Sequence, residues 1–175
     1  LRSEEGYSPT PKHETVRLMC AIRVLLCLKG RSFDVSNAYC QAARLMPIAL
    51  EYPRGMEQVN GQGHKLYQIL WRNHYGAPDG SPNWDVEKDA KYLEHFTNPE
   101  SGWSIHKCVM DPCLYRIDYA PIFNGTDYDY KLCSFKGDLQ KHNWTLMVVH
   151  SDDHDMVSES DTMMVSIRDF ADATW

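Results

Sequence analysis

The sequence predicts an α+β domain, and three observations predict it. Apolar residues recur at helical spacing in three stretches, and between these lie short apolar runs punctuated by Pro, Gly, Asn and Asp. One such run, beginning at Trp144, ends in two adjacent aspartates and turns straight back toward Ser158. The first pattern marks amphipathic helices, the second strands bounded by turns, and the third an antiparallel hairpin. At 175 residues, 43% of them hydrophobic and 24% charged, the chain suits one ordinary domain, residues 1–175, with a real core.

Leu1 to His13, with Gly6, Pro9 and Pro11, is an extended entry segment. Glu14 to Leu28 carries Val16, Met19, Ile22, Leu25 and Leu26 on one side of a core helix, with Arg17 and Arg23 toward solvent. Lys29-Gly30 supplies its basic last turn and its stop. Ser32 to Tyr39 is a short strand running into a turn, and Ile48 to Gly55 a second strand closed by Pro53 and Gly55. Lys65 to Trp71 has no clear period and fits strand or helix. Tyr75 to Trp84 is dense with breakers and reads as a loop. Asn83 then caps a helix through Phe96, with Val86, Ala90, Leu93 and Phe96 as its apolar stripe and Trp84 and Tyr92 as packing rings. Gly102-Trp103 turns the chain, and Asp111-Pro112 breaks it before a strand over Cys113–Ile117. Asp118 to His142 is polar and Tyr-rich, with Asn124-Gly125 as a hairpin signal. Ser160 caps a last helix whose buried side is Met163, Met164, Ile167 and Phe170.

Composition excludes some roles. The longest apolar run, Met19 to Leu28, is broken by Arg23 and too short to cross a bilayer. No secretory signal opens the sequence, and its six cysteines form no CxxC pair, so they read as reduced core residues of an intracellular protein. His106-x-Cys108-x4-Cys113 matches no structural zinc spacing. The net charge of -6 disfavours binding to a phosphate backbone by this domain alone.

Chemistry concentrates at the hairpin tip. Asp152 and Asp153 repel one another unless a cation lies between them, and Mg²⁺ is the hard ion that carboxylate and phosphate oxygens satisfy. The plainer reading is a solvated acidic turn. Asp34 at a strand end, with Tyr39 five residues on, is a second candidate; Asp34 and Asn37 equally suit a turn.

Six blocks in order resemble the reverse transcriptase domain of copia-type LTR retrotransposons. They are Tyr7-Ser-Pro-x-x-Lys-x-x-Thr-Val-Arg17, Phe33-Asp-Val-Ser-Asn-Ala-Tyr39, Leu50-Glu-Tyr-Pro-Arg-Gly55, Tyr75-Gly76 with Trp84, Gly102-Trp103 with Asp111-Pro-Cys-Leu-Tyr115, and His150-Ser-Asp-Asp153. The resemblance implies a palm, a small antiparallel sheet with helices packed on one face. It implies that Asp34, Asp152 and Asp153 are catalytic and, with the backbone carbonyl of Val35, hold two Mg²⁺ ions, with Mn²⁺ as a substitute. It implies that Tyr39 excludes a ribose 2′ hydroxyl and that the loop carrying Asp79 contacts the nucleotide. Primer-template nucleic acid and deoxynucleotides are then the partners, and the activity RNA-directed DNA synthesis.

Several positions depart from that pattern. His150-Ser151 replaces the family's Tyr-x, His154 and Asp155 enter its apolar return strand, and Asp79 stands where the family has Gln. The 118–142 stretch reads as an insertion. By the resemblance, most of the fingers would lie before Leu1, and the thumb and RNase H regions after Trp175. This favours an alternative: a catalytically inactive, retroelement-derived fragment serving as a structural or interaction subunit among other protein subunits. A last reading is an unrelated acidic α/β domain that binds a divalent ion incidentally.

Overall fold

Period-two alternation builds the larger of two sheets. The computed structural model describes residues 9–97, 102–119 and 143–175; most of the 118–142 insertion, the Asn124-Gly125 turn and the first eight residues lie outside them. Contacts divide the chain into two compact units, one comprising Ser36–Asp89 and the other Pro9–Val35 with Ala90–Trp175.

The second unit holds a five-stranded sheet made of β1 (Lys29–Asp34), β4 (Trp103–Lys107), β5 (Leu114–Tyr119), β6 (Asn143–His150) and β7 (Asp153–Ser158), in the order β1-β7-β6-β5-β4. Every neighbouring pair is antiparallel. Alternate residues face opposite sides. One face presents Ile105, Tyr115, Ile117, Met147, Val149 and Met156, packed against Tyr92 and Phe96 of α3 (Gly80–Phe96) and Met164 and Ile167 of α4 (Asp161–Thr174). Each such side chain contributes about 1.5–3 kcal/mol when fully buried. The Ser160 hydroxyl caps α4 as the sequence predicts, accepting from the Met163 N–H at 3.3 Å.

The opposite face presents Val148 and Val157, covered by Met19 and Ile22 of α1 (His13–Leu25) together with Leu28. The sheet is thus covered on both faces, which corrects the expectation of helices on one face only. The α+β class and the antiparallel sheet are as predicted.

Two details of α1 differ from the sequence reading. Its start is capped from 99 residues away: Asp111 Oδ2 accepts from the Lys12 N–H at 2.9 Å and the Thr15 hydroxyl at 2.5 Å, while Oδ1 accepts from the Cys113 N–H at 3.0 Å. Its end comes before Lys29-Gly30, which already belong to β1. Cys27 adopts φ 51°, and the Leu28 N–H returns to the Arg23 carbonyl at 2.9 Å, closing a Schellman-type stop with cysteine where glycine is usual. Arg17 and Arg23 are exposed as expected, but so are Val16, Leu25 and Leu26 of the predicted core side, along with Leu18 and Val24. Among the described residues the reading of the cysteines as core residues holds only for Cys113; Cys20 and Cys27 are exposed, Cys40 and Cys108 half-buried, and these five form no disulfide.

The Ser36–Asp89 unit contains α2 (Ala38–Gln41), the antiparallel pair β2 (Ala43–Glu51) and β3 (Tyr67–Arg72), and the first part of α3. Lys65 to Trp71 therefore resolves mostly as strand. The register shifts between Ala43 and Ile48, where Pro47 cannot donate to a ladder. The loop predicted over Tyr75 to Trp84 is shorter than expected, because α3 begins at Gly80 and Asn83 lies inside it. Pro82 is compatible with this, since the first turn of a helix needs no internal N–H donors. Of the predicted stripe Phe96 is buried, and Trp84 and Tyr92 pack as expected, but Leu93 is exposed. Val86 is 71% exposed, while Trp84, Lys88, Tyr92 and Phe96, at a strict spacing of four, are buried. Lys88 is accommodated by an ion pair to Asp85 at 2.8 Å.

Candidate functional site

Asp34 is the last residue of β1 and Asp153 the first of β7, and the two are direct cross-strand partners. Asp153 also pairs with His150 at the end of β6. Asp34, Asp153 and His150 therefore occupy one rung across three strands, all on the face that α1 covers farther along, and all exposed. The next rung on that face carries Ser32, Asp155 and Val148, and the Ser32 hydroxyl donates to Asp155 Oδ1 at 2.5 Å. One rung further, Gly30, Val157 and Leu146 lie in the apolar zone beside α1. The face thus grades from carboxylates at one end to hydrocarbon at the other.

Asp152 completes the cluster through the backbone. It follows Ser151 in the two-residue turn joining β6 to β7, and Ser151 has φ 60°, a conformation unfavourable for a residue with a Cβ. The Asp152 carbonyl accepts from the Val35 N–H at 3.1 Å, which ties the chain leaving β1 to the hairpin tip. It also accepts from His154 Nδ1 at 2.8 Å. His154 is fully buried on the far side of the sheet, stacked on Phe33 with ring centroids 4.4 Å apart and meeting Tyr92 edge-on at 5.8 Å.

The Asp34 carboxyl senses the other two. The Asp34 pKa is raised, first by the solvent it gives up and then by the negative charges of Asp152 and Asp153. Such a cluster favours protons or a cation. Among the described residues, no three His, Cys, Asp or Glu side chains converge so as to hold a metal ion as they stand. The donor chemistry does suit one: carboxylates and a backbone carbonyl are the hard oxygen ligands of Mg²⁺.

Comparison with protein-family models, curated proteins and solved structures finds no significant match.

The remaining sequence-predicted residues belong to the Ser36–Asp89 unit. Tyr39 lies in α2, half-buried, its ring meeting that of Tyr75 edge-on at 5.3 Å. Asp79 accepts twice from Arg44 Nη2, at 2.8 and 2.6 Å, and the Arg44 side chain is buried. The negative charge of Asp79 is therefore answered within its own unit. His154 is the residue that sequence reasoning noticed only as a departure, since nothing in its spacing reveals a bond to a backbone carbonyl.

Among the described residues no helix is long and apolar enough to cross a membrane.

Proposed function

We propose that the chain is a retroelement-derived, reverse-transcriptase-like palm whose chemistry is RNA-directed DNA synthesis by two-metal nucleotidyl transfer. The observation that carries this reading is the shared rung of Asp34 and Asp153, locked to Asp152 through Val35. Residues 119 apart in sequence are adjacent at the end of a sheet, a proximity that the proposed roles require. Asp34, Asp152, Asp153 and the Val35 carbonyl would hold Mg²⁺, or Mn²⁺ in its place. When bound, the ions supply activation of a primer 3′ hydroxyl and neutralisation of the triphosphate. The chain's own contribution is to keep three anionic groups together before any ion arrives, on a face where α1 leaves one end uncovered.

The test is nucleotide addition to a primed RNA template with Mg²⁺ or Mn²⁺, comparing the chain with an Asp152→Asn, Asp153→Asn double variant. Activity lost in the variant supports the reading. Absence of activity in both, with equal folding, refutes it for this chain.

A second reading, an inactive interaction subunit, is favoured by α1. Leu18, Val24 and Leu25 are 57%, 76% and 79% exposed, an apolar display that protein partners commonly cover. Sedimentation of the isolated chain as a monomer that binds no apolar dye would count against it.

A further inference from the structure

We infer that His154 is a positioning residue for the carboxylate turn, acting through the backbone of Asp152. This rests on the reading of Asp34, Asp152 and Asp153 as a divalent-cation site. A backbone carbonyl can only accept, so the ring nitrogen facing it at 2.8 Å carries the proton. The same oxygen accepts from the Val35 N–H, so two donors fix the peptide between Asp152 and Asp153. One donor comes from the segment leaving β1, the other from beneath the sheet.

The imidazole is itself held. It is fully buried, stacked on Phe33 with planes 11° apart, and bounded by Tyr92. Phe33 and His154 are cross-strand partners one position before Asp34 and one after Asp153. The ring pair therefore lies directly under the carboxylate rung, on the other side of the same two strands. An apolar residue at position 154 would fill that space equally well but could not donate. A histidine here adds one directed bond, to the peptide that joins the two acidic residues. The bond also restrains Ser151, whose φ of 60° gives the turn a reason to relax when unrestrained.

The test uses the full chain and Mn²⁺ alone as probe, with free Mn²⁺ read by electron paramagnetic resonance. Four variants accompany the wild type. His154→Phe keeps the aromatic stack but lacks a donor, and His154→Leu lacks both and guards against misfolding of the first. His154→Asn puts an amide N–H where Nδ1 stands, and Asp152→Asn, Asp153→Asn removes the charges. Loss of an outer hydrogen bond of this kind weakens metal affinity about tenfold or more, so that is expected for the Phe and Leu variants, with affinity kept in the Asn variant. Thermal melts show whether each variant is folded.

Exchange of the Val35 amide proton, measured without metal, is expected to quicken in the Phe and Leu variants and stay slow in the Asn variant. Equal Mn²⁺ affinity in wild type and folded His154→Phe overturns the inference. If the wild type binds no more Mn²⁺ than the double Asp variant, the cation reading has failed. The Val35 amide then decides the positioning role alone, and unchanged exchange in His154→Phe overturns it.

Discussion

Replacing Asp111 with Ala should be among the most damaging single changes outside the apolar core. The carboxylate is 2% exposed and accepts three bonds, from the Lys12 N–H, the Thr15 hydroxyl and the Cys113 N–H. Bonds to a charged acceptor contribute about 1.5–3 kcal/mol each. Lys12 is exposed and Thr15 half-buried, so water recovers part of the loss, and the net is about 3 kcal/mol, somewhat above an ordinary lost helix cap. For a chain of this size that lowers Tm by roughly 6–12 °C. The pH dependence gives a second handle. Burial alone would push the Asp111 carboxyl up, but the Thr15, Lys12 and Cys113 bonds and the Lys12 charge outweigh it, and its pKa is lowered. A depressed folded pKa means a contribution fully present above the unfolded value of about 3.9 and lost as pH falls through the lower folded value. Calorimetric scans of wild type and Asp111→Ala from neutral pH downward should thus show a constant gap that narrows only in strong acid. A variant melting within about 2 °C of wild type, or a gap indifferent to acid, would refute the reasoning.

Three further outcomes are expected. Asp34→Asn should stabilise the metal-free protein at neutral pH by about 0.5 kcal/mol, a value kept small by solvent screening. Because the folded pKa of Asp34 is raised, the penalty it relieves exists above that pKa and disappears as pH falls through it, so melts in chelator should converge in acid. Cys27→Gly should stabilise by about 1 kcal/mol in urea unfolding, since φ 51° burdens any residue with a Cβ. Tyr92→Phe should be neutral or stabilising by up to about 1 kcal/mol in the same assay, because the buried Tyr92 hydroxyl has no hydrogen-bond partner among the described residues and burial pushes the phenol pKa far up.

Local chemistry was legible in the sequence wherever one residue decides the outcome. Ser160 caps α4, Asp152 falls in a tight turn, and the apolar run before it is a strand, each for reasons confined to a few neighbours. What escaped depends on partners far along the chain. Nothing near Lys12 announces that its N–H is capped by Asp111, and nothing near Asp34 announces that Asp153 is its rung partner. On α3 the rings Trp84, Tyr92 and Phe96 pack as the sequence predicts, but hydropathy favours Val86 and Leu93 for the rest of the buried side, whereas Asp85 makes burial of Lys88 tolerable. The end of α1 was misplaced because glycine is the ordinary left-handed residue, and Cys27 took that conformation three positions earlier. Of the candidate site, Asp34, Val35, Asp152 and Asp153 are brought together; the donors from Val35 and His154 that fix Asp152 are products of the tertiary fold and leave no local mark in the sequence.

The pairing of β1 with β7 carries a kinetic consequence. The β6–β7 hairpin closes over two residues and can form early, but β1, which among the described residues pairs only with β7, must arrive from more than a hundred residues away. Closing so long a loop costs chain entropy before any ladder bond repays it. The acidic tip can therefore exist without Asp34 in a partly folded chain. The three-carboxylate cluster arises only with that closure, so any cation drawn to it would report completed folding and would selectively hold the chain in that final state.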